Sequence, residues 1–322
     1  MSNPTLQELL DGVRSGNRRA TARAISLVEN ADPLGYAFLR EVFPETGRSY
    51  AVGFTGPPGV GKSTLLSALV TLLRERELRL GVISVDPSSP FTQGALLGDR
   101  IRLVDHFLDP GVFIRSMGTR GHLGGLAQAT LEAALVLDAA GSDILLLETV
   151  GTGQSEVEVR GLADTVVLVL MPGSGDAVQA LKAGIMEIPD VIVVNKADQA
   201  PAAAILTDIR TTLALGELER MPALITTEAL TGEGIDELWS EIEDHRAWLG
   251  TEGKLEPRRR EHLAREVFAI AGAQARTHLE QAVVDDPELR RVLDAVQDRS
   301  LDPLSAVREI LETVFRIDSD RC

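Results

Sequence analysis

The sequence contains few of the residues that build disulfides or soft-metal centres. Its single cysteine, Cys322, excludes an intrachain disulfide and a cysteine metal cluster. The histidines are scattered at positions 106, 122, 245, 262 and 278, which argues against a metal-insertion protein, because such a protein needs a set of histidine or cysteine ligands. Basic residues are also in deficit, since 48 acidic residues against 32 basic ones leave a net charge of −16. A chain of that charge has no general attraction to nucleic acid or to an anionic membrane.

Long apolar runs are absent as well. No run could span a bilayer, and the first residues lack the basic start and apolar centre of a signal peptide. We therefore expect a cytoplasmic protein with no nucleic acid and no membrane among its partners. What is present suits a folded protein, because 44% of the 322 residues are apolar and 25% are charged, enough to bury a sizeable core.

Three zones can be distinguished along the chain. Residues 1–47 contain two stretches of apolar residues at helical spacing, which Asp32-Pro33 and Phe43-Pro44 are expected to interrupt or end; they predict two short helices and a connecting turn. Residues 48–250 alternate short β-branched runs with helical stretches. Residues 251–322 are predicted to form a helical arm after a linker at 253–257, and the basic run 258–260 is expected to be a solvated helix face. An apolar stripe at the end of the arm must pack on the chain's own core or on a second subunit, and we favour a homodimer.

The central zone contains the predicted strands. Several are apolar throughout, which is typical of parallel strands that helices cover on both faces. Strands that alternate with helices predict an α/β fold. The predicted strands are Tyr50–Thr55, Leu80–Val85, Val112–Arg115, Asp143–Glu148, Thr165–Leu170, Val191–Asn195 and Ala223–Thr226.

A glycine-rich loop follows the first strand and precedes a helical stretch. It matches the pattern G-x-x-x-x-G-K-[ST] with Gly56, Pro57, Pro58, Gly59, Val60, Gly61, Lys62, Ser63 and Thr64. Glycines allow backbone N–H groups to turn towards phosphate oxygens, and the start of the helix adds a partial positive charge. We expect Lys62 to reach the β- and γ-phosphates and the Ser63 hydroxyl to bind Mg²⁺. The fold predicted is therefore a mostly parallel, doubly wound P-loop NTPase sheet with helical N-terminal and C-terminal extensions.

The nucleotide base is predicted from a second loop. Asn195, Lys196 and Asp198 form N-K-x-D at the end of a buried strand, where a carboxylate can accept two N–H bonds from guanine but not from adenine. Asn195 can support the loop and bond the base, and the Lys196 stem can cover the base. The alternative is that Asp198 only caps the next helix. A further loop after the last strand is expected to contact the base, with Glu228 acting through its backbone; its residues are Thr227, Glu228, Ala229 and Leu230.

Carboxylates at the ends of two other strands predict the metal and the catalytic loops. Glu148 ends an apolar strand, as a Walker B acid does, and Gly151 is placed to offer its N–H to the γ-phosphate. Asp86 and Asp99 could hold the metal through water or position the attacking water, or could simply cap local turns. Arg102 or Arg100 is a candidate for neutralising phosphate charge from within the chain.

The catalytic glutamine of Ras-like proteins has no counterpart after Gly151. We therefore expect hydrolysis of GTP to GDP to be slow without a partner. Lys182 is expected on a helix after the Pro172–Asp176 loop and is a candidate reporter of nucleotide state, although the residues alone favour a plain surface role.

Several longer motifs resemble those of one family, the MeaB/ArgK P-loop GTPases associated with methylmalonyl-CoA mutase. They are Val85-Asp-Pro-Ser-Ser-Pro-Phe-Thr, Leu96-Leu-Gly-Asp-Arg, Gly121-His-Leu-Gly-Gly125, Glu148-Thr-Val-Gly-Thr-Gly-Gln-Ser155 and Met171-Pro-Gly-Ser-Gly-Asp176. The resemblance implies a chaperone of an adenosylcobalamin-dependent acyl-CoA mutase, a homodimer joined through the C-terminal arms. It further implies that Ser63, Asp86, Asp99 and Glu148 surround Mg²⁺. Arg102 would then lie in a first switch and Lys182 in an extra switch that contacts the mutase.

Two positions depart from the family pattern. Gln93 stands where a glycine is expected, and Arg115-Ser-Met-Gly-Thr-Arg-Gly121 replaces the common R-P-x-x-S-S-G form. The second departure resembles G domains linked to other acyl-CoA mutases, so the identity of the mutase stays open. The alternative function is a P-loop kinase or ATPase associated with lysine, arginine and ornithine transport, which the N-K-x-D motif argues against.

Overall fold

The computed structural model describes residues 4–86, 101–118, 125–149, 161–173, 189–198, 202–214 and 218–315. The chain divides into two compact units. The first unit comprises residues 1–122 and 126–266, and the second comprises residues 123–125 and 267–322. The division of the chain at residues 47 and 250 stays a prediction.

The first unit is built on a seven-stranded, all-parallel sheet in the order β3-β2-β4-β1-β5-β6-β7. Its strands are β1 (Tyr50–Thr55), β2 (Leu80–Asp86), β3 (Val112–Gly118), β4 (Ile144–Thr149), β5 (Thr165–Leu170), β6 (Val191–Asn195) and β7 (Ala223–Thr227). All residues of β1, β5 and β6 are buried, as expected for parallel strands covered on both faces. The predicted fold class is thus confirmed, and each predicted strand is found with its ends moved by no more than three residues.

The described α-helices belong to both units. They are α1 (Leu6–Arg14), α2 (Arg18–Glu29), α3 (Pro33–Val42), α4 (Lys62–Glu75), α5 (Gly125–Ala139), α6 (Ala202–Leu213), α7 (Ile235–Thr251), α8 (Leu255–Asp285), α9 (Pro287–Gln297) and α10 (Pro303–Phe315). Short 3₁₀ helices span Phe43–Glu45 and Ile101–His106. Within the described ranges, no helix combines the length and the apolar character that a membrane crossing requires.

Two apolar clusters cover the two faces of the sheet. On one face Tyr50, Val52 and Phe54 of β1 pack with residues of α4 and α7. On the other face Ala51 packs with residues of α1, α2, α3 and α5, among them Phe38. Alternate side chains of one strand therefore serve opposite layers, which is the period of two that a strand imposes.

The N-terminal segment contains three α-helices, and the expectation of two is wrong. Asp32-Pro33 does not end the helical region but starts α3, because the Asp32 carboxylate accepts the Leu34 N–H and Pro33 occupies the first helical turn. Gly35 lets α3 approach α2 closely, since a Cβ at this position would lie 2.7 Å from the backbone of Leu27.

The expected linker at 253–257 is also corrected. Glu252, Gly253, at φ +65°, and Lys254 form the whole connection between α7 and α8, and α8 begins at Leu255. Pro257 is accommodated because the first turn of a helix has no intrahelical partner for its N–H groups.

The basic run that follows is a solvated face only in part. Arg258 pairs with Asp190 through two hydrogen bonds of 3.1 and 2.8 Å, and Arg259 pairs with Asp164 at 2.7 and 2.6 Å. Arg260 is exposed, as expected. The prediction failed for the two pairing residues because their partners lie 68 and 95 positions away in sequence.

The second unit is helical in its described part. Leu289 and Val292 of α9 and Ala306 of α10 are buried. The His278 and Phe315 rings lie 6.0 Å apart. Leu304 and Val307 remain 82% and 53% exposed, so the single chain leaves this part of the apolar stripe uncovered.

Candidate functional site

The predicted phosphate-binding and base-binding residues gather at the carboxyl ends of β1, β4, β6 and β7. The order of the sheet explains this, because β1 lies between β4 and β5, and β6 lies between β5 and β7. In parallel α/β sheets this edge is where ligands bind.

The glycine-rich loop has a backbone that only glycine can adopt at its key positions. Gly56 has φ +138°, and a Cβ there would lie 2.1 Å from the carbonyl oxygen of Val169 in β5. Gly61 has φ +93°, and its Cβ would lie 2.5 Å from the Asn195 side chain. Gly61 is also the N-cap of α4, so the loop leads straight into the amino end of a helix. That arrangement presents N–H groups and a positive helix end to an anion.

Lys62 is folded onto the loop from which it projects. Its Nζ donates to the carbonyl oxygens of Gly56 at 2.6 Å and Pro57 at 2.9 Å, and the residue is buried. The ammonium group is thus held over the concave side of the loop, where it can exchange carbonyl partners for phosphate oxygens.

Ser63 and Glu148 are brought together as predicted. The Ser63 hydroxyl donates to Glu148 Oε1 at 2.6 Å, and both residues are buried. Ser84 of β2 donates to Glu148 Oε2 at 3.4 Å, a contact that sequence reasoning missed. The register could not be read from the sequence, but in the sheet Ser84 pairs with Glu148.

These residues fit a magnesium ion. A hydroxyl and a carboxylate are the hard oxygen donors that Mg²⁺ prefers, and Mg²⁺ commonly takes only one or two protein ligands beside nucleotide phosphate and water. Among the described residues no group of three or more histidine, cysteine, aspartate or glutamate side chains could hold a metal ion by itself. The pair therefore suits a metal that arrives with a nucleotide.

Asn195 joins three segments of the site. Its Nδ2 donates to the Val60 carbonyl at 2.8 Å. Its Oδ1 accepts from the Thr227 hydroxyl at 3.0 Å and from the Ala229 N–H at 3.2 Å. The amide thus ties the phosphate loop, the end of β6 and the loop after β7. The contact between Thr227 and Asn195 could not be predicted from the sequence, because a threonine at a strand end gives no signal of its own.

A cleft of about 310 Å³ lies beside this junction. Lys196, at φ +58°, reaches back to the Gly59 carbonyl at 2.8 Å, and Asp198 is exposed at the cleft. Leu230 is 87% exposed at the same cleft. The cleft is lined by Gly61, Thr64, Asn195, Lys196, Asp198, Glu228, Ala229 and Leu230.

The loop after β7 is closed by its own backbone. Glu228 donates its N–H to the Glu233 carbonyl at 3.0 Å, and its carbonyl accepts from Thr231 and Gly232. The backbone N–H and carbonyl groups of Glu228 are therefore hydrogen-bonded within the turn. Glu228 also lines the cleft.

Several predicted site residues fall wholly or partly outside the described part of the chain. Asp99, Gly151 and Lys182 lie outside the described residues. Asp86 is the last residue of β2, where it pairs with Gly118, and Arg102 belongs to the 3₁₀ helix Ile101–His106; both are described by their backbone. Their roles stay predictions.

A second polar group lies at the opposite, amino-terminal edge of the sheet. The Thr165 hydroxyl bonds with His245 Nδ1 at 2.7 Å, and His245 Nε2 lies 3.3 Å from Asp190. Burial lowers the pKa of His245 to about 4 against the opposing effect of Asp190, so the imidazole is neutral at pH 7. Thr165 and His245 are fully buried, which excludes substrate and makes this chain of bonds structural.

The chain is similar to known proteins over most of its length. A family model described as "Methylmalonyl Co-A mutase-associated GTPase MeaB" matches residues 21–285. A putative GTPase of Pyrococcus abyssi is 47% identical over 315 residues, which cover 96% of this chain and 97% of the relative. GTPase ArgK of Escherichia coli is 36% identical over 325 residues, which cover 98% of each chain.

Two further comparisons extend this range. The mouse protein named methylmalonic aciduria type A homolog, mitochondrial, is 36% identical over 275 residues, which cover 79% of this chain and 66% of the relative. The crystal structure of a protein named LAO/AO transport system kinase is 30% identical, covers 98% of this chain and 99% of its own, and superposes with a TM-score of 0.74.

Proposed function

The chain belongs to the family of methylmalonyl-CoA mutase-associated GTPases that the MeaB model describes, and from this membership we propose that it is a Mg²⁺-dependent GTPase that serves as chaperone to an adenosylcobalamin-dependent acyl-CoA mutase. In this role it binds GTP, hydrolyses it slowly to GDP, and gates loading of the cofactor into the mutase while protecting the mutase from inactivation. Methylmalonyl-CoA mutase is the first candidate partner.

The observation that carries the nucleotide assignment is the cleft beside the phosphate loop. Asp198 lines it together with Asn195 and Lys196, so one cleft joins the base-reading motif to Gly61 and to the start of α4. A carboxylate at this position can accept from guanine N1 and N2, whereas adenine offers no such pair of donors.

Different residues of the chain bind the phosphates and the metal ion. When nucleotide binds, the Lys62 ammonium exchanges the carbonyl oxygens of Gly56 and Pro57 for phosphate oxygens. The backbone N–H groups at the start of α4 donate to the same phosphates. Ser63 and Glu148 would hold Mg²⁺, and Asp86 and Asp99 are the further candidate residues for this site. When bound, this ion neutralises charge on the β- and γ-phosphates. Arg102, Gly151 and Lys182 complete the set as phosphate-neutralising, γ-phosphate-binding and partner-sensing residues.

The partner and the homodimer rest on different support. The mutase comes from the family description and agrees with the name of the mouse relative. The dimer is supported by the exposed apolar residues Leu304 and Val307 of α10, which a second arm would cover.

The test is nucleotide turnover by the purified protein, with GTP and ATP compared, in the absence and presence of adenosylcobalamin-dependent methylmalonyl-CoA mutase from the same source. We expect turnover selective for GTP that rises when the mutase is added. GTP turnover that ignores this mutase would reject it as partner and direct the search to other acyl-CoA mutases.

The base assignment has a test of its own. Asp198→Asn should reduce the preference for GTP over ATP in equilibrium binding by about tenfold or more, since the carboxylate is the group that pairs with guanine. Asp208→Asn, on the next helix, is the matched control. A preference of the wild-type protein for ATP would favour a transport-associated kinase, the activity after which the similar crystallised protein is named.

A further inference from the structure

The 3₁₀ helix Ile101–His106 is seated on α4, the helix that the phosphate loop starts. Leu103 is 1% exposed and belongs to the same apolar cluster as Leu66 and Leu69 of α4. His106, at the end of the 3₁₀ helix, reaches α4 at Ser67 and Thr71, one to two turns after Ser63. The element that contains Arg102 is therefore fixed to the helix that contains the phosphate-binding residues.

The hydrogen bonds of His106 identify which of its ring nitrogens acts as a donor. Its Nε2 lies 3.3 Å from the Ser67 carbonyl oxygen and 3.3 Å from the Thr71 hydroxyl. A carbonyl oxygen can only accept, so Nε2 carries the proton and donates to Ser67. The Thr71 hydroxyl donates to the same carbonyl at 3.1 Å and presents its lone pair to Nε2. One imidazole N–H is thus shared between two acceptors on one face of α4.

A second set of bonds holds the chain just after His106. Arg74 of α4 pairs with Asp109 at 2.9 Å and donates to the Leu78 carbonyl at 2.6 Å. Arg18 of α2 donates to the carbonyl oxygens of Phe107 at 3.1 Å and Asp109 at 2.5 Å. These bonds fix residues 107–109, whereas the bonds of His106 act on the 3₁₀ helix itself, closer to Arg102.

We propose that His106 is a positioning residue for GTP hydrolysis, which it serves by fixing the 3₁₀ helix, and with it Arg102, against α4. The proposal rests on the proposed GTPase function. His106 itself touches neither nucleotide nor metal. Because Lys62, Ser63 and the His106 acceptors all belong to α4, a loss of this contact releases Arg102 relative to the phosphates but leaves the phosphate loop intact. The expected effect is on kcat and not on nucleotide affinity.

The test compares His106→Leu, which keeps volume but has no donor, with His106→Gln, whose Nε2 can take the place of the imidazole Nε2. Asp105→Asn, an exposed position on the same 3₁₀ helix, is the control. We expect His106→Leu to lower kcat for GTP by about fivefold, the effect of losing one hydrogen bond, with GDP affinity unchanged. His106→Gln should restore most of the rate.

A double mutant identifies the route of the effect. In the Arg102→Ala background, His106→Leu should cause little further loss of kcat, because the residue that it positions is gone. Additive losses, or a loss of GDP affinity equal to the loss of rate, would overturn the proposal.

Amide hydrogen exchange of residues 101–109 keeps the proposal testable if the wild-type protein shows no GTP turnover. In that case the proposed function fails, but exchange should still be faster in His106→Leu than in His106→Gln. Equal protection in the two variants would overturn the anchoring role, whatever the activity.

Discussion

Ser63 and Glu148 meet at 2.6 Å although 85 positions separate them in the sequence. The contact exists because β4 lies directly beside β1, so the end of β4 reaches the start of α4. It links the loop expected to hold phosphate with the acid expected to hold metal, the two parts of the proposed magnesium site.

Replacing Glu148 by glutamine should weaken the response to Mg²⁺. An amide oxygen carries no charge, so the Mg²⁺ concentration for half-maximal GTP turnover is expected to rise by about tenfold or more. The measurement is a Mg²⁺ titration of turnover at saturating GTP. Asp143→Asn, at the other end of β4, is the control, and an unchanged titration of Glu148→Gln would remove this residue from the metal site.

Thr227 should matter for nucleotide binding although it does not line the cleft. Thr227→Val removes the hydroxyl that donates to Asn195 Oδ1 while it preserves the shape of the side chain. Loss of one buried hydrogen bond is expected to lower GTP affinity by about five- to tenfold, and Thr227→Ser should retain affinity. Equilibrium binding of a fluorescent guanine nucleotide measures this effect. Equal affinity of the valine and serine variants would contradict the role given to the hydroxyl.

Two neighbouring arginines should differ sharply in their effect on stability. Arg259→Gln breaks a largely buried pair with Asp164 and leaves that carboxylate uncompensated, so the free energy of unfolding should fall by about 3 kcal/mol. Arg260→Gln changes an exposed side chain and should cost less than about 0.5 kcal/mol. Urea unfolding at pH 7 compares them. If both variants lose a similar free energy of unfolding, the pair of Arg259 with Asp164 does not contribute to stability as expected.

Acid should destabilise the protein through its buried histidines. Burial lowers the pKa of His262 to about 4, and that of His245 likewise. In the unfolded chain a histidine binds its proton near pH 6.5, so the unfolded state takes up protons that the folded state refuses as the pH falls from 6.5 towards 4. Each histidine then lowers the free energy of unfolding, by an amount on the order of 2–3 kcal/mol near pH 4.

The comparison that isolates this effect is His262→Gln against the wild type, with Tm measured from pH 7 to pH 4. The variant should lose less stability over this range. Glu132 acts in the opposite direction, because burial raises its pKa to about 6, but it is the same in both proteins. Parallel Tm curves would show that His262 is not the group responsible.

The sequence was most informative where a signal is local. The strands, the loop Gly56–Thr64 and the position of Glu148 all follow from residue patterns that a short window contains. Asp32-Pro33 shows how a local signal can mislead, since the pair that often ends a helix instead starts α3.

What could not be predicted depends on pairings across the sheet. Ser84 contacts Glu148 because β2 and β4 are neighbours in one particular register. Thr227 meets Asn195 for the same reason in β7 and β6. Arg258 and Arg259 find carboxylates that precede β6 and β5. None of these contacts can be predicted from a short stretch of sequence, because predicting each of them requires the order of the strands in the sheet.

The short connection before α8 has a consequence for how the chain can vary in length. Asp164 directly precedes β5, and Asp190 directly precedes β6. Two consecutive residues of α8 form ion pairs with them: Arg259 with Asp164, and Arg258 with Asp190. Removing or adding one residue between Gly253 and Arg258 would turn the helix by about 100° and carry both guanidinium groups away from their carboxylates. The connection between α7 and α8 therefore has a fixed length, and it tolerates substitution far better than insertion or deletion.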